Sequence, residues 1–284
     1  MNPHEIDHIK RAIAFMEDHL EEKLDLGRIA GEMHYSKYYL HKMFSQVTGV
    51  TVHDYIFRRR LTEAARSLAF SGRSVLDISL HCGYDSQQAF TAAFTAMYKL
   101  PPAGFRRRKH FYPLQLRYTP RKDMGSREIT GSQIDFAGES DIPAWMDLTD
   151  LVVDGYPHLD KREHMRNLRE CIAQRRALIV REAGTAAGVM AFSRENGRIE
   201  FLGIHPQYRR SNMAKLFLDK LTTELLPDRE ISITTYRDGD RADTGHRRSL
   251  ERLGFAGREL LVEFGYPTQR FVFFPGGRAD NGGR

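Results

Sequence analysis

The residues best suited to chemistry lie in a few short segments, and the first of them matches a metal-binding pattern. His4, Glu5 and His8 have the H-E-x-x-H spacing, which on a helix places two imidazoles and a carboxylate on one face. The pattern lies at the start of the chain and no third ligand follows it, so we interpret it as a chance match and predict no metal site. Cys82 and Cys171 lack ligand spacing and are expected to be reduced, structural thiols.

Two further segments are polar and lie at the beginning of predicted helices. Gln87 and Gln88 stand on one of these helices, and a glutamine amide can pair with the edge of adenine through two hydrogen bonds. Arg209, Arg210 and Ser211 come directly before another helix and offer charge and a hydroxyl to a phosphate. The alternative for this second segment is a basic turn in front of a surface helix.

The glutamines belong to a helical pattern that occurs twice in the N-terminal part. Ser36 and Ser86 are of a type that caps helices, and apolar residues follow each of them at three- and four-residue steps. Between the two copies, residues 52–68 predict one longer helix. Two helix-turn-helix units joined by a helix hold their second helices at a fixed separation, which can match successive turns of the DNA major groove.

The charge of the chain is distributed unevenly. Residues 1–125 contain 19 of the 43 Lys and Arg residues and 13 of the 37 Asp and Glu residues, so they account for the whole net charge of +6. This asymmetry favours a polyanion as the partner of that part alone. Two basic runs, residues 58–60 and 106–109, are either phosphate contacts or solvated helix faces. No apolar run is long enough to span a bilayer, and we expect a cytoplasmic protein without a membrane partner.

The stretch from Asp77 to Phe94, followed by Pro101 to Arg106, resembles the signature of the AraC/XylS transcription regulators. The resemblance covers about residues 4–108 and implies that residues 1–110 form a domain that binds double-stranded DNA, as a monomer or a homodimer. Ala92 stands where close relatives often carry a long basic side chain. Position within the motif implies DNA contacts from these residues: Ser36, Lys37, Tyr38, His41, Lys42, Ser86, Gln87, Gln88 and Thr91.

Residues 111–130 predict a connector, and residues 131–284 predict a second domain. Within the connector, residues 112–118 alternate in polarity and suggest a short strand, which Pro113 would confine to a sheet edge. The second domain has mixed α/β patterning. It predicts strands over residues 134–136, 177–181, 187–192, 198–204, 231–235, 259–264 and 270–274, and helices over 161–174, 212–226 and 247–253 besides one that begins at 141–143.

The order of these elements resembles the GNAT superfamily of N-acetyltransferases. The most specific match runs from Leu202 to Ala214, where the family has a strand, a His-Pro turn and a glycine-rich loop whose backbone N–H groups bind the pyrophosphate of coenzyme A. Asn212 takes the place of the first glycine, and we expect it to adopt a positive φ. The resemblance implies acetyl-CoA as cofactor, bound by Leu202, Gly203, Ile204, Arg209, Arg210, Ser211, Asn212, Met213 and Ala214.

Acetyl transfer to an amine needs a base for the amine proton and often an acid for the leaving thiolate. Glu200, on the strand before the loop, is the candidate catalytic base, and an ordinary strand carboxylate is the alternative. The tyrosine that often serves as the acid in this superfamily precedes a Gly-Phe pair, and Leu250 stands in its place here. The possible substitutes are Tyr208, Tyr236 and His205.

We therefore expect two domains: an all-α tandem helix-turn-helix, then an α/β (α+β) domain with a GNAT-like mixed, mostly antiparallel sheet flanked by helices. The predicted function is sequence-specific regulation of transcription. The second domain either acetylates a small amine or a protein amine, or it is a catalytically inactive sensor whose ligand shifts DNA affinity. An inert appended domain, which would bind no coenzyme A, is a third interpretation.

Overall fold

The computed structural model describes residues 3–125, 128–152, 161–263 and 265–275. Its contacts divide them into an N-terminal body, residues 3–125, and a C-terminal body, which comprises the other described residues. The N-terminal body is all helical: α1 (Pro3–Asp18), α2 (Leu26–Glu32), α3 (Lys37–Thr48), α4 (Val52–Phe70), α5 (Val75–His81), α6 (Gln87–Tyr98) and α7 (Pro102–Arg108). The C-terminal body contains β1 (Ile134–Phe136), α8 (Ile142–Val152), α9 (Lys161–Ala173), β2 (Ala177–Glu182), β3 (Thr185–Phe192), β4 (Ile199–Ile204), α10 (Met213–Lys220), β5 (Ile231–Tyr236), α11 (His246–Arg252), β6 (Ala256–Glu263) and β7 (Tyr266–Phe273).

The repeat predicted in the N-terminal body forms because its two copies use the same local signals. Ser36 caps α3 by accepting a hydrogen bond from the Tyr39 N–H at 3.2 Å, and Ser86 caps α6 by accepting one from the Ala89 N–H at 3.2 Å. α3 ends at Gly49, whose φ of +76° is readily adopted by glycine. The two copies bury equivalent side chains completely: Leu40 and Phe44 in the first, Phe90 and Phe94 in the second.

The basic run at residues 58–60 is part of the core of this body. Arg58 and Arg59 on α4 are only 3% and 6% exposed. The Arg59 guanidinium donates to both carboxylate oxygens of Glu17 on α1, at 2.8 and 2.7 Å, and Arg60 donates to the Leu20 carbonyl at 2.8 Å. Both expectations for this run, phosphate contact and solvated face, are therefore wrong for Arg58 and Arg59. A guanidinium that is buried and paired in this way fixes one helix against another.

The edge strand predicted at residues 112–118 does not form. The described part of the N-terminal body contains no strand with which it could pair. Its backbone is held by side chains of α4 instead, because the Thr62 hydroxyl accepts hydrogen bonds from the N–H groups of Leu114 and Gln115. The polarity alternation arises since Leu114 and Tyr118 face the helices and are buried, whereas Arg117 is exposed.

The C-terminal body confirms the predicted α/β class with antiparallel strands, and the expected single sheet is divided into two. One has the strand order β1-β2-β3-β4 and the other the order β5-β7-β6. α8 and α9 pack on one face of the first sheet, in a core that includes Trp145, Cys171 and Val189. α10 packs against the opposite face. A Cβ at Gly188 would contact Met213 and lie 2.9 Å from Phe217, so the helix lies very close to β3 at this point. The glycine thus lets this helix approach β3 closely.

Two further findings on the described residues concern membrane-spanning helices and metal-binding groups. No helix among them combines the length and the apolar character needed to cross a bilayer. No group of three or more His, Cys, Asp or Glu side chains within the same described ranges is arranged to hold a metal ion. His8, from the H-E-x-x-H match, instead forms a hydrogen bond with the Tyr35 hydroxyl between α1 and the turn before α3.

Candidate DNA-binding surface and coenzyme A site

The first recognition helix, α3, exposes the residues that the motif assigns to DNA. Tyr38 is 77% exposed, and Lys37, His41 and Lys42 are exposed beside it. The Lys37 side chain extends along the start of α2, where its ammonium and the carboxylate of Asp25 both lie near Gly27. The pKa of the Asp25 carboxyl is lowered, mainly by the hydrogen bond from the Arg28 N–H and also by the charge of Lys37.

The second recognition helix, α6, has the same arrangement with different side chains. Gln87 and Gln88 are exposed on its first turn, and Thr91 is half-buried one turn later. Ala92 is exposed on the same open surface, so no long side chain obstructs approach to the glutamines. Two donors and an acceptor on each glutamine suit the edge of a base, whereas a lysine suits a phosphate.

The two capping serines have a structural role as well as the DNA contact that their position in the motif implies. Each serine oxygen accepts a backbone N–H at the start of its helix, so the hydroxyl of Ser36 and that of Ser86 hold the local fold. A hydroxyl that accepts one hydrogen bond can still donate its own proton. Both residues can therefore cap a recognition helix and donate to a phosphate at the same time.

The candidate coenzyme A loop connects β4 with α10 through one 3₁₀ turn, Pro206–Tyr208. Ser211 lies at its end, and its hydroxyl donates to the Tyr208 carbonyl at 2.7 Å while accepting the Met213 N–H at 3.2 Å. Asn212, the residue before α10, has φ −82°. The expectation of a positive φ at Asn212 is therefore wrong: the loop forms with an ordinary backbone conformation at the position of the first glycine.

The surroundings of this loop favour an anion. Arg210, Ser211 and Asn212 are exposed, and Arg209 is half-buried. α10 begins at Met213, and the first N–H groups of a helix have no acceptor within it and carry a partial positive charge. A chain that ends a strand and starts a helix with two arginines at the junction is suited to a pyrophosphate.

A gap between β4 and β5 leads to the same loop. The strands meet in parallel at their beginnings, where Arg198 bridges Ser232 and the Ser232 N–H donates to the Gly197 carbonyl at 3.0 Å. Beyond that bridge, the described residues of the two strands are not joined in a ladder, and each strand belongs to its own sheet. Leu202, Gly203 and Ile204 therefore lie on β4 where the strands have separated, with Gly203 buried.

Glu200 lies on a bulge in β4. Ala191 pairs with Phe201 and Phe192 pairs with Ile199, so Glu200 is the extra residue. A bulge redirects its side chain, and here the carboxylate lies 3.1 Å from Nη1 of Arg176. The Cys171 thiol of α9 lies 3.6 Å from the same oxygen. Sequence reasoning missed Arg176, and no signal could have identified it because 24 residues separate it from Glu200.

The candidates for the acid differ in accessibility. Leu250, in the place of the family's tyrosine, is buried on α11. Tyr208 and His205 are buried in the turn after β4, each only 3% exposed. Tyr236, at the end of β5, is half-buried, with its ring centroid 6.1 Å from that of His246 and 5.8 Å from that of Tyr266. Among the three substitutes, Tyr236 is thus the most exposed.

Two family models match the chain, in different parts of it. A helix-turn-helix domain model matches residues 29–108, and an acetyltransferase (GNAT) domain model matches residues 153–256. The chain is 40% identical over 101 residues to the transposon Tn10 TetD protein of Escherichia coli, which covers 36% of this chain and 73% of TetD. It is 38% identical over 100 residues to the regulatory protein SoxS of Escherichia coli, 35% of this chain and 94% of SoxS. With the right origin-binding protein of Escherichia coli it shares 40% identity over 99 residues, only 34% of that protein's length.

Two solved structures are each similar to part of the chain. An AraC-type transcriptional regulator from Chromobacterium violaceum is 26% identical and covers 38% of this chain and 96% of its own, with a TM-score of 0.36. A GNAT family acetyltransferase from Bacillus cereus is 15% identical and covers 50% of this chain and 95% of its own, with a TM-score of 0.39.

The helical body with its two recognition helices and the matching regulators define a DNA-binding transcription regulator. More specifically, the chain belongs to the AraC-type helix-turn-helix family and carries a GNAT acetyltransferase domain after its DNA-binding domain.

Proposed function

We propose that this regulator binds acetyl-CoA in its GNAT domain and transfers the acetyl group to an amine. The observation that carries the proposal is the exposed junction of β4 and α10, with Arg209, Arg210 and Asn212, at the open end of the gap between β4 and β5. This junction fits a pyrophosphate, and the gap fits an extended chain. When bound, acetyl-CoA supplies an activated thioester.

The chain's own residues have separate roles in this proposal. The backbone N–H groups at the start of α10 bind the pyrophosphate, and Arg209 and Arg210 add charge. Leu202, Gly203 and Ile204 on β4 align the chain of the cofactor, and Met213 and Ala214 position the helix. Glu200 accepts the proton that the amine loses, and Arg176 holds its carboxylate in place.

A second candidate function is a sensor that binds acetyl-CoA without catalysis. Two observations favour it: Leu250 provides no acid, and the carboxylate of Glu200 is engaged by Arg176. In a sensor the bound ligand would change DNA affinity by binding one conformational state more tightly than the other, commonly by about 1–3 kcal/mol. Turnover distinguishes the two candidates.

We further propose a sequence-specific DNA reader in residues 1–110, a connector in 111–130 whose first part packs on that reader, and the GNAT domain in 131–284, in a cytoplasmic protein. Gln87 and Gln88 read bases, together with Tyr38, His41 and Thr91. Lys37 and Lys42 bind phosphates, with Ser36 and Ser86 as donors at the helix starts.

The proposal is tested by calorimetric titration of the full-length protein with acetyl-CoA and with CoA, together with a thiol-release assay over a panel of amines. The informative variant is Asn212→Asp, with Asn212→Ala as its matched control. Aspartate is a good residue at the start of a helix, so the fold should tolerate it, but its charge repels a pyrophosphate.

We expect wild type and Asn212→Ala to bind both ligands, and Asn212→Asp to lose binding. Release of CoA with one of the amines identifies an acetyltransferase, whereas binding without release identifies the sensor. If wild type binds neither ligand at millimolar concentration, or if Asn212→Asp binds as tightly as Asn212→Ala, the site is not at this loop.

A further inference from the structure

Residues 111–124 follow the matched helix-turn-helix region and lie along its helices. We call this segment the strap. Leu114, Tyr118 and Met124 within it are buried, each at most 3% exposed. The segment has no regular secondary structure apart from turns, so its backbone polar groups need partners from elsewhere. Those partners come from α4 and from the second helix-turn-helix.

The beginning of the strap packs on the second helix-turn-helix. The ring of Tyr112 lies 5.1 Å from that of Tyr98, the last residue of the recognition helix α6, and 5.8 Å from that of Phe105 on α7. The Tyr98 hydroxyl donates to the Tyr112 carbonyl at 3.3 Å. Phe111 packs beside Phe70 at the end of α4, with a centroid distance of 5.9 Å.

The middle of the strap is anchored by one hydroxyl. Thr62, fully buried on α4, accepts the N–H of Leu114 at 3.0 Å and that of Gln115 at 3.1 Å. The same hydroxyl donates to the Arg58 carbonyl at 2.8 Å, so all its hydrogen-bonding capacity is used. The Gln115 carbonyl in turn accepts from Arg59 at 3.2 Å.

The end of the strap reaches α1, the helix that packs against α2 and α3 of the first helix-turn-helix. The Tyr118 N–H donates to the Tyr55 hydroxyl at 3.3 Å, and that hydroxyl donates to Glu17 of α1 at 2.7 Å. Further along, the Lys122 ammonium lies 2.6 Å from the carboxylate of Asp7, also on α1. The strap therefore connects α6 and α7 with α1, which contacts the first helix-turn-helix, and it runs antiparallel to α4.

The dimensions of the two segments agree. From Phe70 to Tyr55, α4 rises about 22 Å at about 1.5 Å per residue. From residue 111 to 118 an extended chain spans at most about 25 Å. The strap is therefore long enough to follow α4 from Phe70 to Tyr55, with a bend at Leu114 and Gln115.

We propose that the strap is a positioning part of the DNA reader: it fixes the separation of the recognition helices α3 and α6, with Thr62 as its central anchor. A tandem reader gains affinity only if both recognition helices enter the major groove together, about 34 Å apart along the duplex. One helix alone, α4, connects the two units in sequence. The strap adds a second connection that resists bending and twisting between them.

The test uses the full-length protein and a duplex selected by wild type from a random library, measured at one fixed salt concentration. Thr62→Val removes the hydroxyl at nearly constant volume, and Thr62→Ser retains it as the matched control. Leu114→Ala loosens the strap from its own side without changing α4. Affinity is measured for the selected duplex and for one with a base pair inserted between the two contacted segments.

We expect Thr62→Val and Leu114→Ala to bind the selected duplex about tenfold more weakly, because buried N–H or apolar groups lose their partners. A merely destabilised protein would lose affinity for both duplexes equally. The inserted base pair lowers affinity, and a loosened strap should make this loss at least about threefold smaller than in wild type. The reason is that the helices can then adjust their spacing. Thr62→Ser should behave as wild type.

Amide hydrogen exchange of residues 111–118 shows whether the strap has loosened. If exchange accelerates in both variants and the spacing penalty stays as in wild type, the strap does not position the recognition helices. If exchange in Thr62→Val stays as in wild type, Thr62 is not the anchor. Either result overturns the proposal.

Discussion

The carboxylate of Glu200 lies 3.1 Å from the Arg176 guanidinium, on a bulge that points it toward α9. In this position the candidate base is held by an ion pair that is partly open to solvent, since the Glu200 side chain is 42% exposed. Such a carboxylate can still accept a proton, but it must do so within reach of the guanidinium. The rate of CoA release by a Glu200 variant therefore tests its role as the base.

If Glu200 is the base, Glu200→Gln should reduce the rate of CoA release by about 10²–10⁴-fold, because the amide cannot accept the amine proton. The acetyl-CoA dissociation constant should change by less than about twofold, since the proposed cofactor contacts begin at Leu202. Glu195→Gln, at an exposed position in the turn before β4, is the control. Undiminished CoA release in Glu200→Gln would show that another group accepts the proton.

The DNA surface predicts two different responses to mutation. Gln88→Ala should cost about 1–3 kcal/mol at one base pair of the selected site and relax its specificity there. Lys42→Ala should weaken binding to all duplexes and lower the slope of log K against log salt by about 1. Binding of a library with single substitutions, measured at several salt concentrations, checks both. Uniform weakening by Gln88→Ala would assign that residue to the backbone of the DNA.

Local signals allowed much of the fold to be predicted from the sequence. Serine caps and apolar periodicity identified α3 and α6, and alternating or continuous apolar runs identified β2 to β5 within one or two residues. The strap could not be predicted, because Thr62 and Leu114 are 52 residues apart and only the folded α4 brings them together. The same holds for Glu200 with Arg176. The burial of Arg58 and Arg59 was missed because a charge run indicates solvent unless its partner, here Glu17, is known.

The buried pair of Arg59 and Glu17 predicts a large effect on stability. Each side chain of the pair is only 7% exposed, and the guanidinium makes two hydrogen bonds to the carboxylate. Glu17→Gln removes one of the two carboxylates that pair with the buried Arg59 guanidinium, the other being Glu63 at 2.8 Å, and should lower the free energy of unfolding by about 2–3 kcal/mol. Urea unfolding monitored by circular dichroism measures this change.

The control for the Glu17→Gln measurement is Lys215→Ala, which removes the exposed Lys215–Asp219 pair on α10 and should cost less than about 1 kcal/mol. Equal effects of the two variants would mean that the buried pair contributes no more than a surface pair. That result would also mean that the pair does not fix α1 against α4.

The close packing of α10 on β3 at Gly188 should position the coenzyme A loop. An added Cβ there would contact Met213, the first residue of α10, and crowd Phe217. Gly188→Ala should therefore move the start of α10 and weaken acetyl-CoA binding by at least about tenfold, since backbone groups at a helix start act only when correctly placed. Gly131→Ala, where nothing lies within 4 Å of the added atom, is the control. Wild-type calorimetry from Gly188→Ala would mean that the loop does not depend on this contact.

The two buried cysteines should make the free energy of unfolding depend on pH and should react slowly in the native protein. Burial raises the pKa of the Cys82 thiol to about 12 and that of the Cys171 thiol to about 11, from an ordinary value of 9.0. The thiolate is the reactive form, so iodoacetamide at pH 8 should alkylate the native protein slowly and the urea-unfolded protein rapidly. Because folding favours the protonated thiols, their contribution to stability is complete below pH 9 and is lost as pH rises from about 9 to 12. In Cys82→Ala this alkaline loss of unfolding free energy should be smaller; an unchanged pH profile would show that the Cys82 thiol does not titrate as burial requires.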